Sequence, residues 1–363
     1  MKSSKLHSSF LQLVKLGIGT GTVSGSWFKD PIDWLGVKNL AEKQGLGAVV
    51  LDGIEKLPEG QRPPKVFLLE WIGETLQGYE YRYDLYCKTM AEMAEFYNKH
   101  GFKIMILKGY ACSLDWPKPE HRPCGDIDIW QFGDYQRADS CVAKEKKVEI
   151  DLSHHHHTVF NWGDFTVENH FDFVNVYANR ANAQLEVIFK ELGKDDTRFI
   201  ELHDEKVYLS SPNLHALFLL RHAIIEFAAT GLNLRQLLDW AFFWEKHGKE
   251  VDEKWLCELI EEYQMTVFFN IINAICVEEL GFQSNIFPSV QYVPYLKDRV
   301  LKEILEPEFD WQKAHDKNVI KRILFKYRRW KGGAWKRKLC FGESSLESFI
   351  WGVRSHLLKP ASI

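Results

Sequence analysis

The chain has 363 residues, 45% of them hydrophobic, with a formal net charge of −4 and a pI near 6.4. That is enough apolar mass for two or three packed domains, and the charge balance excludes a surface that attracts polyanions everywhere, leaving only local patches. Seven cysteines, odd in number and never spaced C-x-x-C, argue against a disulfide frame or a zinc ribbon and for reduced thiols in a cytoplasmic protein.

No run approaches the roughly 18 unbroken apolar residues that a membrane span requires. The apolar stretch after Phe10 is broken by Gln12 and Lys15, so it lacks the core of a signal peptide. Gly17-Ile18-Gly19-Thr20-Gly21-Thr22 has the glycine content of a phosphate loop but neither a preceding strand nor a following Gly-Lys-Ser/Thr, and reads as a loop or helix end. A helical pattern over Asp30–Leu57 opens on the Asp30-Pro31 cap pair, and Pro58–Pro64 forms a break. Apolar residues at three- and four-residue steps then predict one long helix from Lys65 to about His100.

The stretch Phe102–Trp130 differs in kind. A short apolar strand, Phe102–Leu107, stops at Lys108-Gly109. A loop over Asp115–Pro123 delivers Arg122, and Gly125-Asp126-Ile127-Asp128-Ile129-Trp130 alternates acid with apolar residues. Alternation is the pattern of a strand with two unlike faces, so Asp126 and Asp128 share one of them. Like charges side by side repel unless a divalent cation lies between them, and carboxylate oxygens suit Mg²⁺ and Mn²⁺.

After a helix from Asp134 to about Lys147 comes His154-His155-His156-His157. Alternation of faces along a strand limits how many of these four can act together on a phosphate or metal. Strands Thr158–Phe160 and Phe165–Asp172, joined by Asn161–Asp164, read as a hairpin. Glu168, His170 and Asp172 share a face of its second strand, with Glu168 the candidate third carboxylate and Asp172 its rival. Beyond Ser211-Pro212 the pattern is helical, with helices at Asn213–Phe227 and Leu234–Trp244 and further ones from about Asp252 to Leu280. Arg235 and Asp239, four apart, are placed to pair. Near the C-terminus Lys321, Arg322, Lys326, Arg328, Arg329, Lys331, Lys336, Arg337 and Lys338 are interleaved with Tyr327, Trp330 and Trp335. That mixture fits either a solvated helix face or a contact with nucleic acid or anionic lipid.

Leu107-Lys108-Gly109, then Arg122, then Gly125-Asp126-Ile127-Asp128, resembles the nucleotidyltransferase superfamily of the DNA polymerase β type. The likeness is to its poorly characterised bacterial branch with an LKG…R…DID pattern, and covers roughly residues 100–245. Val167-Glu168-Asn169-His170 matches the V-E-x-H of that branch, in which a His-rich stretch often opens the preceding strand.

The resemblance implies an α+β protein. Its core, residues 101–209, would be a small mixed sheet between helical regions at 1–100 and 210–363. It also implies NMP transfer from an NTP, with two Mg²⁺ or Mn²⁺ ions held by Asp126, Asp128 and Glu168. Lys108, Gly109 and Arg122 would meet the triphosphate. Ser113 is the first hydroxyl after a turn that reads Gly109-Tyr110 where Gly-Gly or Gly-Ser is usual. His170, His222, Arg235 and Asp239 would line the nucleotide cleft. The acceptor stays open among small molecules, RNA and protein. Two alternatives stand beside this reading: a catalytically impaired homologue of toxin–antitoxin or defence type, and a nucleic-acid-binding protein using Lys321–Lys338.

Overall fold

The computed structural model describes residues 4–23, 31–195, 197–309 and 319–358. Helix α1 (Lys5–Ile18) is capped by Ser4 and ends at Gly19, which takes a left-handed φ of 85°. The glycine-rich run is thus a helix end. Two helices, α2 (Trp34–Lys43) and α3 (Gly47–Glu55), replace the continuous one expected from Asp30. The cap is Asp33, whose carboxylate accepts from the Gly36 amide at 2.9 Å; Asp30 lies outside the described residues. Helices α1 and α3 cross at Gly17 and Gly53. A Cβ on either would sit about 2 Å from the carbonyl oxygen of Val49 or Leu13, so only glycine permits the approach.

The long helix expected from Lys65 is α4 (Lys65–Thr75), a π-turn over Leu76–Tyr81, and α5 (Arg82–Lys99). The wider π-turn changes the helical phase. Trp71 of α4 faces α3, donating to the Gly47 carbonyl at 3.2 Å, whereas Tyr86, Met90, Met93 and Tyr97 of α5 face the sheet.

That sheet has six strands: β1 (Met105–Ile106), β2 (Ile127–Trp130), β3 (His157–Trp162), β4 (Phe165–His170), β5 (Phe199–Leu202) and β6 (Glu205–Leu209). Their spatial order is β3-β4-β2-β1-β6-β5, mixed in direction, with β2–β4 and β1–β6 parallel. Between them run α6 (Tyr110–Ser113), α7 (Tyr135–Lys146) and α8 (Arg180–Gly193). The hairpin turn is tighter than expected: Trp162 pairs with Phe165, leaving Gly163 and Asp164 as a two-residue connection.

One face of the sheet (Ile106, Ile127, Ile129, Phe165, Val167, Val207) packs on α5 and α7. The opposite face carries Met105, Trp130 and Tyr208 into a larger core, which continues through α1–α4 and α8 to most of the remaining helices. The remaining helices are α9 (Pro212–Ala229), α10 (Leu234–His247), α11 (Glu253–Glu262), α12 (Thr266–Glu278), α13 (Pro294–Leu305), α14 (Val319–Gly332), α15 (Ala334–Phe341) and α16 (Ser345–Leu358). The fold is α+β, a single mixed sheet flanked by helices. Among the described residues no helix is long and apolar enough to cross a membrane.

Candidate active site

Parallel pairing of β2 with β4 sets Asp128 directly opposite Glu168 and Trp130 opposite His170; antiparallel pairing of β3 sets His157 opposite His170. Residues in register share a face. Asp128, Glu168, His170 and His157 therefore stand on the side of the sheet that looks towards α9. Asp128 is 2% exposed, and its Oδ1 lies 3.1 Å from Lys108 Nζ and 3.2 Å from His170 Nε2. Burial opposes its charge, but Lys108 and the His170 hydrogen bond outweigh it and hold the carboxyl well below the usual range. Glu168 has the opposite fate, pushed up to about 8 by burial and by the neighbouring Asp128. Asp126, at the rim, is raised by partial burial and then by Asp128.

Donor atoms of Asp128, Glu168 and His170 all lie within 4.8 Å of one another. Two carboxylates and an imidazole at that spacing fit a divalent ion of the Mg²⁺–Mn²⁺ class, the imidazole favouring Mn²⁺.

Beside this cluster opens a cleft of about 200 Å³, lined by Lys108, Gly109, Arg122, Asp126, Asp128, His222, Glu226, Arg235 and Asp239 among others. Gly109 turns the chain with φ 59° and ψ −105°, a region closed to side-chain-bearing residues, and a Cβ there would meet Tyr86 Oη at 2.8 Å. The same hydroxyl donates to the Asp126 carbonyl at 3.2 Å, so α5 fixes both the turn and the entry to β2. Lys108 Nζ lies 3.1 Å from His222 Nε2. Burial and then Lys108 push His222 down to about 4, leaving a neutral ring that accepts from the ammonium.

The family of uncharacterised nucleotidyltransferases matches residues 30–281. The chain belongs to this family. The match runs from α2 through the sheet and cleft to the end of α12, so it contains every residue of the site; α13–α16 lie beyond it. No curated protein and no solved structure matches the chain.

Several side chains of this nucleotidyltransferase-family chain sit differently from their sequence-based expectation. Arg122 lines the cleft, but its fork grips Asp239, Nε at 2.7 Å and Nη2 at 2.8 Å, with both residues about 5% exposed or less. Trp116 Nε1 also donates to Asp239, at 2.8 Å. Asp239 is thus taken, and the pairing expected with Arg235 along α10 does not form. Arg235 donates to the Pro123 carbonyl at 3.3 Å and, among the described residues, makes no ion pair. Gln44 fixes its place, accepting from the Leu234 amide at 2.7 Å and donating to the Ile304 carbonyl at 2.9 Å.

Ser113 is fully buried on α6, donating to the Tyr110 carbonyl at 2.7 Å, with Tyr83 Oη 3.0 Å away, and does not reach the cleft. Asp172 is no rival to Glu168: β4 ends at His170, and the Asp172 carboxylate turns to Lys190 of α8. The loop over Asp115–Pro123 is held on its far side by Asp52 of α3, which takes Lys118 at 2.5 Å and His121 at 2.6 Å. Glu226 is an unforeseen member, 3.4 Å from His222; the four-residue spacing on α9 was the available signal. In the C-terminal basic cluster, Lys336 is buried against Glu303 at 2.6 Å, Arg329 donates to the Ala229 carbonyl, and Arg337 lies over Trp330. The side chains of Arg322 and Lys326 lie outside the described residues.

Proposed function

We propose that the chain moves an NMP from an NTP to an acceptor hydroxyl or phosphate, the metal-dependent reaction for which this cleft is equipped. One observation carries the reading: Asp128 and Glu168 are side by side in register, with His170 and Lys108 on the same carboxylate, at the edge of a cleft lined by both acidic and basic side chains. Asp126, Asp128 and Glu168 would hold the Mg²⁺ or Mn²⁺ ions. When bound, such ions offset the charge at the α-phosphate and acidify the attacking group.

The chain's own residues bind and orient. Lys108 is held protonated: burial works against its charge, but Asp128, Glu168 and Glu226 together raise its pKa. An ammonium at the mouth of this cleft can move from Asp128 to a phosphate once that carboxylate is otherwise engaged. Arg235 is the second phosphate-binding cation, since Arg122 is committed to Asp239 and holds the loop against α10. Gly109 lets main-chain N–H groups approach the phosphates without a side chain intervening. Glu168, its carboxyl raised to about 8, is a stronger base than an ordinary carboxylate once it has lost its own proton, and would then take the proton of the attacking hydroxyl at Oε2.

The test is incorporation. The chain is incubated with each α-labelled NTP, Mg²⁺ or Mn²⁺, and fractions of a cell extract. Label should pass to one fraction and disappear with Asp126→Asn. Absence of labelling in every fraction, with no metal-dependent thermal stabilisation by any NTP, overturns the proposal.

A further inference from the structure

Two rings of the run His154–His157 turn towards the site. Donor atoms of His156, His157 and His170 lie within 4.8 Å of one another, a second cluster that shares His170 with the carboxylate set. Consecutive strand residues would point to opposite faces, but β3 begins at His157, and His156 occupies the bend before it. Its carbonyl accepts from the amides of both Phe171 and Asp172 at 3.0 Å, which folds the bend over the end of β4 and brings adjacent histidines to one side.

The nitrogens of these rings are poorly served by the protein. His157 is 7% exposed, and among the described residues neither of its ring nitrogens has a hydrogen-bond partner; Nδ1 of His156 has none either. Buried ring nitrogens without protein partners are destabilising unless a ligand satisfies them. His170 Nδ1 lies 3.2 Å from the Asp172 carbonyl, a main-chain acceptor that holds the ring in place. Its Nε2 donates to Asp128 Oδ1 at 3.2 Å and lies 3.7 Å from Glu168 Oε2, so a metal ion bound at that nitrogen would take the place of a proton. A ring anchored by a main-chain carbonyl at one nitrogen and offering the other is how imidazoles are oriented to ligate metals.

We propose that His156, His157 and His170 bind a divalent transition-metal ion of the Zn²⁺–Co²⁺ class, beside the carboxylates and independently of nucleotide. Imidazole nitrogen is a ligand for such ions and a poor one for Mg²⁺. Metal–nitrogen bonds of about 2.0–2.1 Å bring tetrahedral donors to about 3.3 Å apart, so each ring needs to close by less than about 1 Å. Glu168 Oε2, 3.8 Å from His157 Nδ1, is placed as the fourth ligand. This ion would differ from those expected to arrive with NTP in its ligands and in remaining bound without substrate.

Co²⁺ is the probe. The full chain, stripped with chelator, is titrated with Co²⁺ in the absence of nucleotide. One equivalent should give the intense visible absorption of a low-coordinate cobalt site, persist in excess Mg²⁺, and be displaced by Zn²⁺. Replacing both rings (His156→Ala with His157→Ala) should weaken binding at least tenfold, whereas Asp126→Asn should leave the band in place. Should the double variant fail to fold by circular dichroism, His156→Ala alone serves, because its main-chain contacts survive. An unchanged band in a folded His156→Ala variant, or its loss to Mg²⁺, overturns the proposal. Because no nucleotide is present, an inactive chain with an intact band would refute the transferase reading and leave this one standing.

Discussion

Asp128 and Glu168 stand opposite each other on parallel strands, yet Lys108 and His170 both sit on Asp128 and neither lies within 3.5 Å of Glu168. The two acids therefore divide their work: one is held ionised by the Lys108 ammonium and the His170 hydrogen bond, while burial and the neighbouring Asp128 raise the other to about 8. Isosteric amides should separate these roles. Asp128→Asn leaves the Lys108 ammonium without its counter-charge and should cost about 1–3 kcal/mol, the lower range for a partly exposed pair. Glu168→Gln removes a carboxyl that resists ionisation and should leave stability unchanged or slightly higher. Both should lower transfer by about 10²–10³-fold or more. Denaturant midpoints and labelled-NTP turnover check the pair, and equal stability losses would contradict this division.

Arg122 holds the ion pair with Asp239 that the four-residue spacing suggests for Arg235. The Arg122–Asp239 fork is buried, and removing one partner from such a pair costs about 3–5 kcal/mol. Arg122→Gln and Asp239→Asn should each lower thermal stability strongly, with a double variant less than additive. Arg235→Gln should leave the melting temperature nearly unchanged and raise KM for the NTP roughly tenfold. A stable Arg122→Gln protein with raised KM would return the phosphate role to Arg122.

Much of the sheet was legible because its determinants are local. The alternation over Asp126–Trp130, the Val-Glu-Asn-His strand, the Lys108-Gly109 turn and the Ser211-Pro212 helix start each lie within a few residues, and each element is present. What escaped depends on partners far along the chain. Nothing near Arg122 announces Asp239, 117 positions away, and nothing near Asp172 reveals that β4 stops two residues earlier to turn it towards Lys190. Ser113 was misplaced because a hydroxyl on a four-residue helix faces whichever side the turn before it dictates, and the backbone at Gly109 sends it inward. The strand rule that limits the histidine run applies within strands, and His156 precedes one.

Gly109 offers a test of backbone geometry that leaves the charges untouched. Gly109→Ala must hold φ near 59° with a Cβ 2.8 Å from Tyr86 Oη. The strained backbone alone costs about 1–3 kcal/mol, and the contact adds to it. Adding Tyr86→Phe should relieve the contact and recover part of the stability, without recovering turnover, because the turn would still be displaced from the phosphates. Full recovery of activity in the double variant would show that the steric contact, and not the conformation of the turn, is what matters.

Dependence of stability on pH should follow two histidine bridges that tie the cleft loops to their supports. His121 lies between Asp52 at 2.6 Å and Glu80 at 3.3 Å, and His247 between Asp115 at 3.0 Å and Glu250 at 2.9 Å. Burial opposes the charge on His121, but Asp52 and then Glu80 raise its pKa; for His247 the Asp115 hydrogen bond is the leading cause of the rise. A histidine raised above its unfolded value of about 6.5 contributes stability that is complete below that value and is lost as pH climbs through the folded one. The raised carboxyls of Glu168 and Glu186, both pushed to about 8, act in the same direction, since the unfolded chain ionises them first. Thermal stability should therefore fall from about pH 4 to about pH 8 through the two carboxyls, with the histidine share setting in above about pH 6.5. The fall should be shallower in His121→Gln and in His247→Gln, which assigns the histidine share of the slope. Identical slopes in the wild-type chain and both variants would show that neither bridge is charged in the folded protein.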